Sequence, residues 1–112
     1  MKIHAVTIDT ANPQKLATWW SQALGIEVGN DYGQIVQLAA SSAVPQFQFQ
    51  KVEDVSTQLN RVHVDLRTSD LDRETDRLVG LGATVIQKFE LPQIRYTTLA
   101  DPDGNKFDLV QE

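Results

Sequence analysis

The sequence contains no cysteine, which excludes a disulfide framework and thiolate chemistry. It also lacks any excess of positive charge, because 15 acidic residues outnumber 10 basic ones and give a formal charge of −5. A chain of this charge has no overall attraction for phosphate backbones or anionic membranes. We therefore expect neither nucleic acid nor a membrane among its partners.

Long apolar runs are missing as well. No stretch approaches the roughly 18 residues that cross a bilayer. The start, MKIHAVTID, has neither a long apolar region nor a small-residue cleavage site. These features favour a cytoplasmic location. What is present is a hydrophobic content of 41% in 112 residues, which suits one globular domain with a real core.

The first half has the pattern of a strand followed by a helix. Residues 3–9 alternate between apolar and polar positions as a strand does. Asn12 and Pro13 favour a helix start, and Gly25 stands where that helix would close in the left-handed conformation. Between them an apolar stripe recurs at helical spacing. Its members are Leu16, Trp19, Trp20 and Ala23, and at most one of the two tryptophans is expected to reach a pocket instead of the core.

The second half repeats this order of elements. Residues 61–66 form a strand pattern, Ser69 and Asp70 are candidate caps, and a helical face follows before Gly82. That face consists of Leu71, Thr75, Leu78 and Val79. When the two halves are aligned, Ala5 falls on His63 and Asn12 falls on Asp70. The sequence therefore predicts two copies of one unit.

Each predicted helix is followed by three short strands separated by turn-forming residues, notably Asp101-Pro-Asp-Gly-Asn105. The strands are predicted at residues 26–29, 34–38, 46–52, 84–90, 94–99 and 106–111. The fold class is then α+β, with two βαβββ modules in a single domain over residues 1–112. Module one covers 1–52, a polar linker covers 53–58, and module two covers 59–112.

Strand alternation predicts one face covered by the helices and one polar face. The polar face carries Thr7, Asp9, Gln48, His63, Asp65 and Asp108. On a flat antiparallel sheet such a face is merely solvated. On a curved sheet it would line a cavity, and alternation alone does not decide between the two.

Several motifs together resemble the vicinal oxygen chelate superfamily, the group of glyoxalases, bleomycin resistance proteins and dioxygenases. They are the Trp19-Trp20 pair, the segments NRVHVDL (60–66) and LGA (81–83), and above all LADPDGNKFDL (99–109). The likeness covers nearly the whole chain and is greatest to glyoxalase-like proteins. It implies an incomplete eight-stranded barrel around a polar cavity, often in a homodimer, with a divalent metal such as Zn, Ni, Mn or Fe in the enzymes. The superfamily also includes transferases, epimerases and metal-free proteins that sequester bleomycin, so the fold does not fix the function.

The resemblance also implies where metal ligands would stand. In the metalloenzymes a ligand, usually His, lies on the first strand of each half, and a carboxylate commonly lies on the last strand. His63 and Asp108 occupy these positions in module two. In module one they are occupied by Ala5 and Gln48, which departs from the pattern. The candidate metal set is therefore His63, Asp108 and Gln48, whereas catalytic metal sites usually offer three stronger protein ligands.

Without a metal, His63 and Asp108 remain candidates for acid–base catalysis. The structural alternative for His63 is an imidazole hydrogen-bonded to Asp108. Thr7, Gln48, Asp65 and Arg95 are the candidate ligand-binding residues. Carboxylates at strand ends are, however, often only solvated or paired with an arginine.

Three hypotheses follow. The first is a pocket protein that holds a small organic ligand without a tightly bound catalytic metal, favoured by the loss of a ligand at Ala5. The second is a divalent-metal-dependent lyase, isomerase or transferase of the glyoxalase type. The third is a purely structural or regulatory module.

Overall fold

The computed structural model describes residues 1–42, 45–54 and 61–112, and these contain eight strands and two helices. In chain order they are β1 (Lys2–Thr10), α1 (Pro13–Leu24), β2 (Val28–Asp31), β3 (Ile35–Leu38), β4 (Gln46–Lys51), β5 (Val62–Thr68), α2 (Leu71–Gly80), β6 (Thr84–Glu90), β7 (Arg95–Ala100) and β8 (Lys106–Gln111). The α+β class with two βαβββ modules is confirmed. Most of the predicted linker, residues 55–58, and the first two residues predicted for module two lie outside the described residues.

In the first module the strands are ordered β2-β3-β4-β1. β1 and β4 run parallel, and the other pairs are antiparallel. Helix α1 covers one face through buried Ala17, which joins a cluster of buried side chains on the sheet. The sheet residues of that cluster are Val36, Leu38 and Phe49. Burying each large apolar side chain contributes about 1.5–3 kcal/mol, so this cluster is what holds the helix on the sheet.

Helix α1 begins and ends where the sequence predicts. The Asn12 side chain accepts a hydrogen bond of 3.0 Å from the Lys15 backbone N–H, and Pro13 takes the first helical position. Gly25 ends the helix with a φ of 70°, and its N–H donates to the Ser21 carbonyl. A left-handed residue at this point satisfies carbonyls that the last turn leaves unpaired.

The two tryptophans of α1 have different surroundings. Trp20 packs on the cluster and tilts against Phe47, with ring centroids 5.7 Å apart. Trp19 is 58% exposed, so its predicted core position is wrong. One residue along a helix turns the side chain by about 100°, which is enough to move Trp19 off the narrow stripe that faces the sheet. The expectation that at most one tryptophan reaches a pocket is compatible with this arrangement, because Trp19 lines a groove and Trp20 packs in the core.

In the second module the strands are ordered β5-β8-β7-β6. β5 and β8 run parallel, and the remaining pairs are antiparallel. Helix α2 starts at a cap in which Asp70 accepts a hydrogen bond of 3.2 Å from the Arg73 N–H. Its Leu71 packs with Leu99 and Leu109 in a second buried cluster. Each module therefore has its own core between one helix and one sheet face.

The contacts within the chain divide it into two compact units. One unit is Ala5–Val62, and the other combines Met1–His4 with His63–Glu112. The first four residues therefore group with the second module instead of the first. The boundaries of the single predicted domain remain a prediction. Among the described residues, no helix is long and apolar enough to span a membrane.

Candidate functional site

A polar row in the second module lies on the sheet face opposite α2. Leu66 of β5 and Leu109 of β8 are paired and pack under the helix. Side chains alternate along a strand, so the neighbouring pair Asp65 and Asp108 points to the other face. His63, two residues from Asp65, shares that face. The predicted division of β5 into an apolar row and a polar row agrees with this register.

His63 lies between two carboxylates. Its Nε2 is 3.3 Å from Asp65 Oδ1 and 3.4 Å from Asp108 Oδ2. The His63 side chain is 14% exposed and the Asp108 side chain 23%, so the group is sheltered but reachable from solvent. The structure thus brings together three of the residues singled out in the sequence, and they come from two strands far apart along the chain.

The carboxylates hold His63 in its charged form. Burial lowers the pKa of His63, but hydrogen bonds to Asp108 and Asp65, together with their negative charges, outweigh burial and raise it from 6.5 to about 10. An imidazolium is therefore the expected species at neutral pH. As a donor it can bind or protonate an electron-rich atom of a ligand.

Asp108 has a second partner that the sequence did not reveal. The Thr98 hydroxyl donates a hydrogen bond of 2.5 Å to Asp108 Oδ1, and the two residues are paired directly across β7 and β8. Burial raises the pKa of Asp108, whereas the hydrogen bonds from His63 and Thr98 lower it, and the net pKa lies below the usual value. Asp108 is thus an ionised acceptor whose two oxygens have different partners.

Tyr96 extends this row along β7. It lies two residues from Thr98 on the same face and stacks on Phe89, with ring centroids 4.4 Å apart and planes 10° apart. Burial raises the pKa of Tyr96, and the negative charges of Asp108 and Asp65 raise it further. Tyr96 was not singled out from the sequence either. The alternation of side chains along β7, which places Tyr96 and Thr98 on one face, is the signal that could have indicated it.

The donor set fits a divalent metal. The ligand atoms of His63, Asp65 and Asp108 all lie within 4.8 Å of one another. Metal–ligand bonds of about 2.0–2.1 Å at tetrahedral angles place neighbouring ligand atoms about 3.3 Å apart. The measured separations from His63 Nε2 match that value and are longer than the about 2.7–2.9 Å of a strong charge-assisted hydrogen bond. One imidazole and two carboxylates suit Zn, Mn or Fe.

The first module has neutral residues at the positions that correspond to His63, Asp65 and Asp108. Thr7 pairs with Gln48 as Asp65 pairs with Asp108, and the residue two before Thr7 is Ala5. The Gln48 amide donates a hydrogen bond of 2.9 Å to Thr7 Oγ1 and accepts one of 3.0 Å from the Gln37 amide. Gln37 in turn accepts from Asn30 at 3.2 Å. We call these four hydrogen-bonded residues (Asn30, Gln37, Gln48 and Thr7) the amide row. Ala5, Thr7 and Gln48, the counterparts of His63, Asp65 and Asp108, carry no charge.

The remaining predicted site residues lie as follows. Thr7 is fully buried, and both ends of the Gln48 amide have protein partners within the amide row. Arg95 lies on the Leu99 face of β7, opposite to Asp108, and its guanidinium binds Asp72 at 2.6 Å and Glu90 at 3.2 Å. The structure therefore does not group Arg95 with His63. Ligand binding by Thr7, Gln48 and Arg95 stays a prediction.

A separate groove of about 300 Å³ lies in the first module at the start of α1. It is lined by Thr10, Ala11, Asn12, Lys15, Leu16 and Trp19. Its lining is largely apolar and lacks an acid–base pair. It offers a surface for contact but no reactive group besides Lys15.

Paired βαβββ modules with a polar row on the open sheet face define a protein of the vicinal oxygen chelate superfamily. The chain belongs to the glyoxalase-like domain family, whose profile matches residues 5–110. No curated protein matches the chain at a significant level.

Solved structures with this fold confirm the architecture. Methylmalonyl-CoA epimerase from Mycobacterium tuberculosis is 22% identical, with a TM-score of 0.71 over 98% of this chain and 87% of that one. A glyoxalase/bleomycin resistance protein/dioxygenase superfamily member from Vibrio splendidus is 12% identical, with a TM-score of 0.69 over 96% and 97%. A substituted methylmalonyl-CoA epimerase from Streptomyces coelicolor, in complex with 2-nitronate-propionyl-CoA, is 18% identical, with a TM-score of 0.65 over 100% and 97%. At these identities the likeness shows the fold alone.

Proposed function

We propose that the protein binds a small organic ligand on the polar face of module two, with His63, Asp65 and Asp108 as the polar centre. The observation that carries this proposal is the convergence of these three side chains around His63 Nε2. The epimerase of the same fold that was solved with a CoA compound supports a small-molecule role, because it shows that such folds hold ligands of this kind.

In this proposal His63 donates a proton and Asp108 accepts one. A protonated His63 offsets one of the two negative charges, which lets the carboxylates lie close together without a tightly bound metal. Asp108, ionised and partly exposed, is the acceptor that a ligand can reach. Acid–base pairs of this kind accelerate proton transfers by about 10²–10⁴-fold when they contact the reacting atoms.

The second candidate is a divalent-metal-dependent lyase, isomerase or transferase. It is favoured by the spacing of the donor atoms in His63, Asp65 and Asp108. A metal held there would act as a Lewis acid on a substrate oxygen. The chain itself would supply the three ligands, and His63 would have to lose its proton first, which makes metal binding compete with protons.

Metal analysis separates the two candidates. The protein is purified without a metal-binding tag, and its Zn, Ni, Mn and Fe contents are measured beside those of His63→Ala, Asp108→Ala and the module-one control Gln48→Ala. Stoichiometric metal that disappears in the first two variants and persists in the control would establish the metalloprotein. Loss of metal in Gln48→Ala as well would support the prediction that Gln48 is a metal ligand. Absence of metal from all samples would favour the metal-free proposal.

Ligand binding is tested by amide NMR with a library of small organic compounds, including methylmalonyl-CoA. We expect compounds that bind to shift the resonances of His63, Asp65 and Asp108, and expect these shifts to vanish in His63→Ala. Binders whose shifts are confined to the groove beside Trp19 would contradict the proposed location.

We further propose a homodimer. Exposed apolar side chains of the second module support it, because large apolar surface on one unit favours association. They are Val79, Leu81, Ile86, Leu91 and Ile94. Light scattering after size exclusion tests the proposal, and a mass of 12.5 kDa at high concentration would exclude the dimer. The cytoplasmic location likewise stays a prediction.

A further inference from the structure

We propose that Thr98 is a positioning residue that leaves Asp108 a single working oxygen. Thr98 Oγ1 donates a hydrogen bond of 2.5 Å to Asp108 Oδ1, whereas Asp108 Oδ2 lies 3.4 Å from His63 Nε2. The two oxygens of the carboxylate therefore have different partners, Thr98 for Oδ1 and His63 for Oδ2. The inference rests on the proposed function only in taking Asp108 as part of the site.

The position of Thr98 is set by strand pairing. Thr98 and Asp108 are direct partners across antiparallel β7 and β8, which places their side chains on the same face and within contact distance. A threonine side chain has few χ1 rotamers because it is branched at Cβ. A carboxylate, in contrast, rotates broadly about χ2. A short hydrogen bond to a charged acceptor from a stiff donor is therefore an effective way to stop that rotation.

The first module repeats the same construction with different residues. Gln37 and Gln48 are direct partners across antiparallel β3 and β4, and the Gln37 amide donates 3.0 Å to Gln48 Oε1. In both modules, then, the residue on the neighbouring antiparallel strand orients the polar side chain of the last strand. The repeat shows that this is a feature of the module and does not depend on the particular donor in module two.

For the site, the hydrogen bond from Thr98 decides how many oxygen atoms of Asp108 face a bound ligand or metal. With Oδ1 held by Thr98, Oδ2 is the oxygen that Asp108 turns toward His63 and toward a proton, a ligand or a metal bound beside it. A carboxylate that binds through one oxygen occupies one coordination position where a two-oxygen carboxylate would occupy two. The remaining position is then available to a substrate atom, which a catalytic site requires.

The experiment compares Thr98→Val, which keeps the shape and removes the hydroxyl, with Thr98→Ser, which keeps the hydroxyl. Mn²⁺ is the probe, and its affinity is measured by calorimetry for wild type and both variants. We expect Thr98→Val to bind about 10–100-fold more weakly, as is typical when a residue that orients a metal ligand is removed. Thr98→Ser should restore the affinity to near that of wild type. Equal losses in the two variants would overturn the inference, because they would show that packing and not the hydroxyl matters.

A crystal structure of Thr98→Val supplies a readout that needs no metal. We expect the Asp108 carboxylate to turn from its wild-type orientation, so that its oxygens are no longer divided between residue 98 and His63. An unchanged carboxylate in this variant would refute the positioning role. If wild-type protein binds no Mn²⁺, the metal-dependent candidate fails and the orientation of Asp108 alone decides about Thr98. The two failures are therefore distinguishable.

Discussion

Asp65 and Asp108 are partners on neighbouring parallel strands, and each directs one carboxylate oxygen to the same nitrogen, Nε2 of His63. Two like charges side by side on one sheet face destabilise the sheet. A positive group between them reduces this penalty, and in the chain itself that group is the His63 imidazolium. The charge state of one histidine is thereby linked to the stability of the second module.

The first prediction concerns stability against pH. The pKa of His63 is about 10 in the folded protein and about 6.5 in an unfolded chain. The stabilisation is therefore complete below about pH 6.5 and is lost as the pH rises toward 10. We expect the free energy of unfolding in urea to fall by at most about 5 kcal/mol over this interval, at 1.36 kcal/mol per pKa unit.

The matched control is His63→Gln, which should lack this part of the pH dependence. Comparing the two proteins removes the contribution of tyrosines and lysines that titrate in the same range. Parallel curves for wild type and variant would show that His63 is not the group responsible.

The second prediction ranks the two carboxylates. The hydrogen bond to Asp108 is the largest of the effects that raise the pKa of His63. Asp108→Asn should therefore lower this pKa more than Asp65→Asn. Proton NMR titration of the imidazole signals measures both, and assignment is simple because the chain has only two histidines. The reverse order would mean that Asp65 is the main partner.

The third prediction concerns the helix caps. Asn12 and Asp70 have nearly the same backbone angles, with φ and ψ of −140° and 89° at Asn12 and −141° and 89° at Asp70. Asn12→Ala and Asp70→Ala should each cost about 1 kcal/mol in unfolding free energy. The exchanges Asn12→Asp and Asp70→Asn keep an acceptor oxygen and should cost only a few tenths. A cap whose alanine variant is as stable as wild type would be dispensable.

The fourth prediction uses two glycines that have open space where a Cβ would be. Gly25 has a φ of 70°, and Gly80 lies within α2 without a positive φ. Gly25→Ala should destabilise the protein by about 1 kcal/mol, since a side chain is strained in the left-handed region. Gly80→Ala should stabilise it by about 0.4–1 kcal/mol. Thermal unfolding of the pair isolates the backbone effect, and shifts of the same sign would contradict it.

Local signals were sufficient to predict the elements of the fold. The bounds of β6 and β8 agree with the prediction at every residue, and α1 lies between the predicted cap and Gly25. These features depend on neighbours within a few positions, where alternation, capping and turn chemistry are direct consequences of backbone geometry. The alignment of Asn12 with Asp70 likewise reflects two backbones that need the same cap.

The site was less accessible because it depends on register between distant strands. His63 and Asp108 were named from the resemblance, but the place of Asp65 beside them follows from the pairing of β5 with β8. Thr98 reaches Asp108 only through the pairing of β7 with β8. A shift of one residue in either pairing would send these side chains to the other face. No local pattern in the sequence specifies that choice.

The amide row of the first module has a consequence of its own. Gln37 and Gln48 each donate to one neighbour and accept from another, so the row runs in one direction from Asn30 to Thr7. None of its side chains gains or loses a proton over the ordinary pH range of aqueous solutions. The row therefore keeps its protonation state in acid and in alkali alike, while its counterpart in the other module contains groups that gain and lose protons. At equivalent strand positions the two copies of the unit thus carry different chemistry, with hydrogen-bonded neutral side chains in one and ionisable side chains in the other.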